Sequence, residues 1–169
     1  CILTGVREQD PYYTYTISSI LYYSDKIKCD FIEGNSIPLP KQLSSINTGK
    51  NGNFCLKKLH WIRMALTQYD RVIWVDNNCF INPNTPNLFD IVPETHIGAP
   101  AQTFESVLAF SRANVKYLHE RGLDVSPIQL IDNNIMVFSK CHLSLLTDSK
   151  ILEHNLFNTR FAERIFLNE

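Results

Sequence analysis

The stretch Lys57–Pro93, KKLHWIRMALTQYDRVIWVDNNCFINPNTPNLFDIVP, decides how the rest of the chain is read. It has three joined parts. Lys57–Gln68 carries apolar residues at helical spacing with basic residues among them. Arg71–Val75 (RVIWV) is short, apolar and rich in β-branched and aromatic residues, the composition of a buried strand. Asp76, Asn77 and Asn78 then open a turn, and Pro83, Pro86 and Pro93 bracket a small helical turn at Asn87–Ile91. In open α/β sheets, ligands bind in the crevice beyond the carboxyl ends of the strands. A polar cluster released there is the first place to look for chemistry. Asp and Asn also favour turns for purely local reasons, so the residues alone leave both readings open.

Working outward toward the start, Cys1–Val6 (CILTGV) reads as a first strand. Tyr12–Tyr23 reads as a helix with Ile17, Ile20, Leu21 and Tyr13 on its apolar face, and Lys28–Glu33 as a second strand. Strand, helix and strand in this order open a parallel sheet with a right-handed crossover. Gly34–Asn53, rich in Pro, Ser, Asn and Gly, reads as a loop. Asn53 would cap a helix over Phe54–Gln68. Beyond the central stretch, Phe80-Ile81 and His96–Ala99 read as short strands, and Ser106–Arg121 as a helix stopped by Gly122. Ile128–Phe138 reads as a strand interrupted by Asp132-Asn133-Asn134. Such a triplet signals a bend or bulge, often beside a site. Ser144–Leu146 and Ile151–Phe157 have weak helical patterns, and Phe161–Leu167 reads as a last helix. There is no internal repeat. The expectation is one domain over 1–169, of α/β class with a mostly parallel sheet.

Composition narrows the class. A chain of 169 residues, 44% hydrophobic, suffices for one core. A formal charge of −1 supplies no field for nucleic acid or an anionic membrane, so no nucleic-acid partner is expected. No apolar run approaches the roughly 18 residues of a transmembrane helix. No signal peptide is visible, which points to a cytoplasmic location. The chain opens on Cys1 rather than Met and reads as a trimmed chain or a piece of a longer protein, which leaves an earlier targeting segment open. Cys1, Cys29, Cys55, Cys79 and Cys141 are unpatterned, which favours reduced, mostly buried thiols over a disulfide framework or zinc site.

The phrase LTQYDRVIWVDNN resembles the signature of nucleotide-sugar glycosyltransferases of the GT-A fold, in particular the glycogenin-like group (family 8-like). Those enzymes run from a basic helix through a hydrophobic strand into an Asp-x-Asp motif that holds a divalent metal and the sugar diphosphate. Here Asp76 stands at the first acidic position and Asn78 at the second, a departure that puts the strength of metal binding in doubt. The resemblance implies a GT-A fold, Mn²⁺ or Mg²⁺ at Asp76 and Asn78, and a donor site that includes Asn77. Hard cations take oxygen ligands and share them with phosphates and water, so one carboxylate and one amide are chemically suited but weakly charged.

Other positions match in part. Aligned on Ile135–Phe138, Asp132 falls at the Asn and Asn134 at the Gly of the family's Asn-Ala-Gly phrase, which lines the acceptor side. ERIFLN at the end places Glu163 at the first acidic position of a phrase that helps position the sugar. Leu167-Asn168 match its end, and Arg164 and Ile165 depart. Lys57, Lys58, His60 and Arg63 supply the basic helix, with Lys58 first choice and Arg63 second for the donor phosphates. The spacing to Asp76 is two residues longer than in the family, and a merely solvated basic face stays open. Thr4, Gly5, Val6 and Tyr13 match the region that holds the nucleotide base. The family's additional metal-binding His lies on a segment after the last helix, and this chain ends at Glu169.

The resemblance therefore implies a hexosyltransferase moving a sugar from a nucleotide diphosphate sugar, a UDP-sugar first, to a glycan or protein hydroxyl acceptor. If the transfer inverts the anomeric centre, Asp132 or Glu163 must take the acceptor proton. The alternative is a catalytically degenerate domain that binds a nucleotide sugar or a partner, a reading favoured by Asn78 and the absent His. A nucleotidyltransferase would show a Gly-rich loop with Arg and Lys after the first strand, and TGVREQD has one Gly and one Arg. Neither a dinucleotide-binding Gly pattern nor a Ser nucleophile elbow is present.

Overall fold

The structure is a computed structural model that describes residues 1–5, 11–41, 49–100, 116, 119–120 and 132–147. It is a mixed α/β arrangement around a four-stranded sheet. The strands are β1 (Ile2–Thr4), β2 (Phe31–Glu33), β3 (Arg71–Val75) and β4 (Ile135–Ser139), in the spatial order β2-β1-β3-β4. Helix α1 (Tyr13–Lys26) joins β1 to β2, and α2 (Gly49–Gln68) precedes β3. A four-residue helix, α3 (Leu88–Ile91), follows, capped by Asn87, whose Oδ1 accepts from the Phe89 amide at 3.1 Å.

β3 is an interior strand and is built as one. Val72, Ile73, Trp74 and Val75 are all fully buried, with alternate residues on opposite faces. Val72 and Trp74 join Leu3, Met136 and Phe138 in a layer against Leu59, Ile62 and Leu66 of α2. Ile73 and Val75 join Ile2 and Val137 in a layer against Ile20 and Tyr23 of α1. Arg71 donates through its two Nη groups to the carbonyls of Phe89 and Val92, which ties α3 to the start of β3.

β1 pairs in parallel with β2 and β3, whereas β4 runs antiparallel to β3, with Val75 opposite Ile135 and Arg71 opposite Ser139. This reversal brings the entry of β4 to the exit of β3. The Asp76 amide donates to the Asn134 carbonyl at 2.7 Å, extending the ladder by one bond. The triplet Asp132-Asn133-Asn134 leads directly into β4, and residues 128–131, the first half of the strand expected over Ile128–Phe138, lie outside the described residues.

Several boundaries differ from the sequence reading. α2 starts at Gly49, so Asn53 lies inside the helix and is not its cap. Phe80-Ile81 forms no strand, because the Ile81 amide is taken by Ser19 Oγ of α1 at 3.1 Å instead of a strand partner. His96–Ala99 reduces to one antiparallel bridge, Gly98 with Val137, on the outer edge of β4. α1 buries Thr16, Ser19, Ile20, Tyr23 and Ser24, while Leu21 is exposed. Three of those five buried residues are Ser or Thr, and their hydroxyls have partners. Thr16 Oγ1 donates to the Asn77 carbonyl at 2.6 Å and Ser24 Oγ to the Cys29 carbonyl at 2.7 Å. The expected helices over Ser106–Arg121, Ile151–Phe157 and Phe161–Leu167 lie outside the described residues, apart from isolated positions.

Among the described residues no helix is long and apolar enough to cross a membrane. Cys1, Cys29, Cys79 and Cys141 are free thiols.

Candidate donor site at the end of strand three

Asp76 leaves β3 at its carboxyl end and is the centre of a buried charged cluster. Trp74 and Asp76 are two residues apart and share one face of the strand, so the indole Nε1 donates to Asp76 Oδ1 at 2.6 Å. Lys58 Nζ reaches the same oxygen at 2.8 Å, and its side chain is only 2% exposed. The ammonium also donates to the Asn133 carbonyl at 3.0 Å and sits 5.2 Å from the centre of a Trp74 ring. Trp74 is fully buried and stacks on Trp61, with ring centres 6.3 Å apart and planes at 19°. Asp76 Oδ2 accepts nothing among the described residues, and the Asp76 side chain is 16% exposed. One carboxylate oxygen is thus fixed by two donors.

The neighbouring positions divide by burial. Asn77 is buried; its carbonyl accepts from Thr16, and its amide Nδ2 makes no hydrogen bond among the described residues. Asn78 is exposed, and its amide oxygen takes only a 3.7 Å contact from the Cys79 thiol. Asp132 is half-buried and its Oδ1 accepts from the Asn134 amide at 3.1 Å, while its own amide donates to the Pro100 carbonyl at 2.7 Å. Cys79 feels both carboxylates. Burial pushes its thiol up to about 11, and the charges of Asp76 and Asp132 push in the same direction, with Lys58 opposing. The thiol is therefore protonated near neutral pH and is not a nucleophile here.

The remaining expected site residues are spread along the same sheet edge. Thr4 is fully buried and its hydroxyl is committed to the Val75 carbonyl at 2.6 Å, joining the ends of β1 and β3. Thr4→Val keeps the shape and removes that donor, so it is expected to lower the unfolding free energy by about 1–3 kcal/mol. An unchanged urea midpoint would show that the bond contributes nothing. Gly5 is buried, and Val6 lies outside the described residues. Tyr13, at the start of α1, donates to Glu33 Oε1 at 2.9 Å; burial, then that bond, raises its phenol to about 12.

Arg63 lies five residues beyond Lys58 on α2. That is about 7.5 Å farther along the helix axis and well round its circumference. Asp76 takes its ammonium from Lys58, not from Arg63. His60 is buried, with Nε2 3.1 Å from the Pro38 carbonyl, in a structural setting. Glu163, with Arg164, Leu167 and Asn168, lies outside the described residues. The sequence reading missed Trp74 and the Asn133 carbonyl as holders of the pair. The i, i+2 spacing of Trp74 and Asp76 on a strand was a usable signal for the first, but a backbone carbonyl leaves none.

Among the described residues, no three His, Cys, Asp or Glu side chains converge as a metal cluster. The oxygen donors at the site are Asp76 Oδ2 and the Asn78 amide. These suit a hard dication only if other oxygens, such as those of a diphosphate and water, complete its shell. On the α1 side, between β4 and the chain over 80–100, lies an apolar cavity of about 460 Å³ whose lining includes Ile81, Val92, Pro100, Ile135 and Val137. Among the described residues its lining carries no charged side chain, so it is poorly suited to hold a phosphate.

The fold is shared with a solved glycosyltransferase. The chain is similar to the crystal structure of a glycosyltransferase involved in the glycosylation of the major capsid of PBCV-1, with a TM-score of 0.53 and 14% identity. The similarity covers 94% of this chain and 65% of that one, so the chain spans about two thirds of its length. No family model matches the chain, and no curated protein sequence matches it.

Proposed function

We propose that this chain is the donor-binding and catalytic domain of a glycosyltransferase of the glycogenin-like group. It would transfer a hexose from a nucleotide diphosphate sugar, a UDP-sugar first, to a hydroxyl of a glycan or protein. The observation that carries this reading is the Asp76 carboxylate, held by Lys58 and Trp74 at the carboxyl end of β3 in a sheet with a glycosyltransferase fold. That is where an open α/β sheet presents its ligand site.

In this reading Asp76 Oδ2 and the Asn78 amide oxygen hold Mn²⁺ or Mg²⁺, whose chemistry is to neutralise the charge that develops on the leaving diphosphate. Trp74 and Lys58 fix Asp76 so that its free oxygen points one way before the donor arrives. Thr4, Gly5, Val6 and Tyr13 form the nucleotide end of the site. Lys58, Asn77 and Arg63 belong to the donor side, Arg63 more remotely. Asp132, joined to Asp76 through Asn134, would orient an acceptor hydroxyl and take its proton if the transfer inverts. Glu163 shares that second role in the same reading.

The test is isothermal titration of UDP-glucose, UDP-galactose and GDP-mannose with and without Mn²⁺. Binding of one donor that requires the metal is the expected result. No binding of any donor under either condition would overturn the donor reading and leave a partner-binding domain on the same fold.

A further inference from the structure

Lys58 is an unusual neighbour for a metal-binding carboxylate. Its side chain is only 2% exposed, and among the described residues its one ionic partner is Asp76. Its other contacts, the Asn133 carbonyl and the Trp74 ring, are neutral and cannot take over the charge. A buried ammonium stripped of its carboxylate is strongly unfavourable. The motif itself supplies one carboxylate for two cations, because its second position is Asn78 and Asp76 Oδ1 is already taken by Lys58.

A bare dication arriving at Asp76 would therefore meet a positive charge already seated on Oδ1. It would have to displace Lys58 from its carboxylate, or bind beside it against like-charge repulsion in a poorly solvated site. A diphosphate changes this balance, since its negative charges neutralise the added cation and Lys58 can stay where it is.

Resting on the glycosyltransferase reading above, we propose that Lys58 is the resident counter-ion of Asp76 and bars a bare divalent cation from the site. The cation enters only together with the diphosphate of the donor. Binding of metal and nucleotide is then strongly coupled, and the order of events is set by one lysine.

The probes are Mn²⁺ alone, followed by the loss of the free-ion electron paramagnetic resonance signal, and Mn²⁺ with UDP. The wild-type chain is expected to leave bare Mn²⁺ free and to bind it once UDP is present. Lys58→Met removes the charge, and Lys58→Gln removes the charge but retains a hydrogen-bond donor for Asn133 and Asp76. Both are expected to bind bare Mn²⁺ about tenfold or more tightly than the wild type, within the usual range of coupling between sites. Circular dichroism confirms folding, and the Gln variant serves if the Met variant does not fold. A merely structural lysine would change stability without raising metal affinity. Folded variants that bind bare Mn²⁺ no more tightly than the wild type would overturn the counter-ion role. So would a wild-type chain that binds Mn²⁺ equally with and without UDP. If the variants gain Mn²⁺ affinity but UDP never binds, the donor reading fails and the counter-ion role stands.

Discussion

Asp76→Ala is expected to abolish metal-dependent donor binding and to lower the unfolding free energy by roughly 3–5 kcal/mol. The two effects have separate origins. Binding is lost because Asp76 supplies the only carboxylate at the motif, and Asn78 is left as a lone neutral oxygen. Stability is lost because Lys58, with a side chain 2% exposed, keeps its charge without its anion, and because the Trp74 indole loses its acceptor. The double variant Asp76→Ala, Lys58→Met separates them. It should recover most of the stability, since a buried methionine needs no counter-ion, and none of the donor binding. Titration calorimetry and urea unfolding read the two quantities on the same sample. Donor binding that survived Asp76→Ala would remove Asp76 from the site, whatever happened to stability.

Trp74→Ala is expected to cost about 3–5 kcal/mol, the range for deleting a buried large aromatic side chain. Trp74 is fully buried, stacks on Trp61, and lies among Leu3, Met136 and Phe138 in the layer facing α2. Its removal opens a cavity directly beneath the Lys58–Asp76 pair, so the damage reaches the site as well as the core. Trp74→Phe is the finer probe. It keeps most of the packing and deletes the Nε1 donor to Asp76, for an expected loss of about 1–3 kcal/mol. Urea midpoints at unchanged slope distinguish the two variants. Equal midpoints for Ala and Phe would mean that packing, the larger of the two contributions, had been misassigned.

How much of this was legible in the residues can be followed element by element. β3 was readable to the residue, Arg71–Val75, because a strand buried on both faces must be apolar throughout and the flanking polar residues then mark its ends. The small helix after Asn87 was equally local, since Asn87 caps it with its own side chain. α1 was placed well but its inward face was misjudged. Apolar spacing favoured Leu21, whereas the buried face carries Thr16, Ser19 and Ser24. Thr16 and Ser19 are paired with backbone groups about sixty residues away, and such partners have no local signature. The start of α2 was placed late because the polar and Gly residues at its beginning carry turn propensity, which outweighed the helical pattern there.

The residues by themselves determined the central strand, the polar turn at its end and the alternation that builds an α/β sheet. Each follows from local composition and the period of the apolar pattern. The tertiary structure alone decided that β4 runs antiparallel, which sets Asn134 against Asp76 and Asn133 under Lys58. It also decided that Lys58, and not Arg63, holds the carboxylate, because helix phase relative to a strand depends on how the two pack. Asp76, Lys58 and Asn133 are far apart along the chain, and their meeting depends on sheet order and helix rotation, which no single segment specifies.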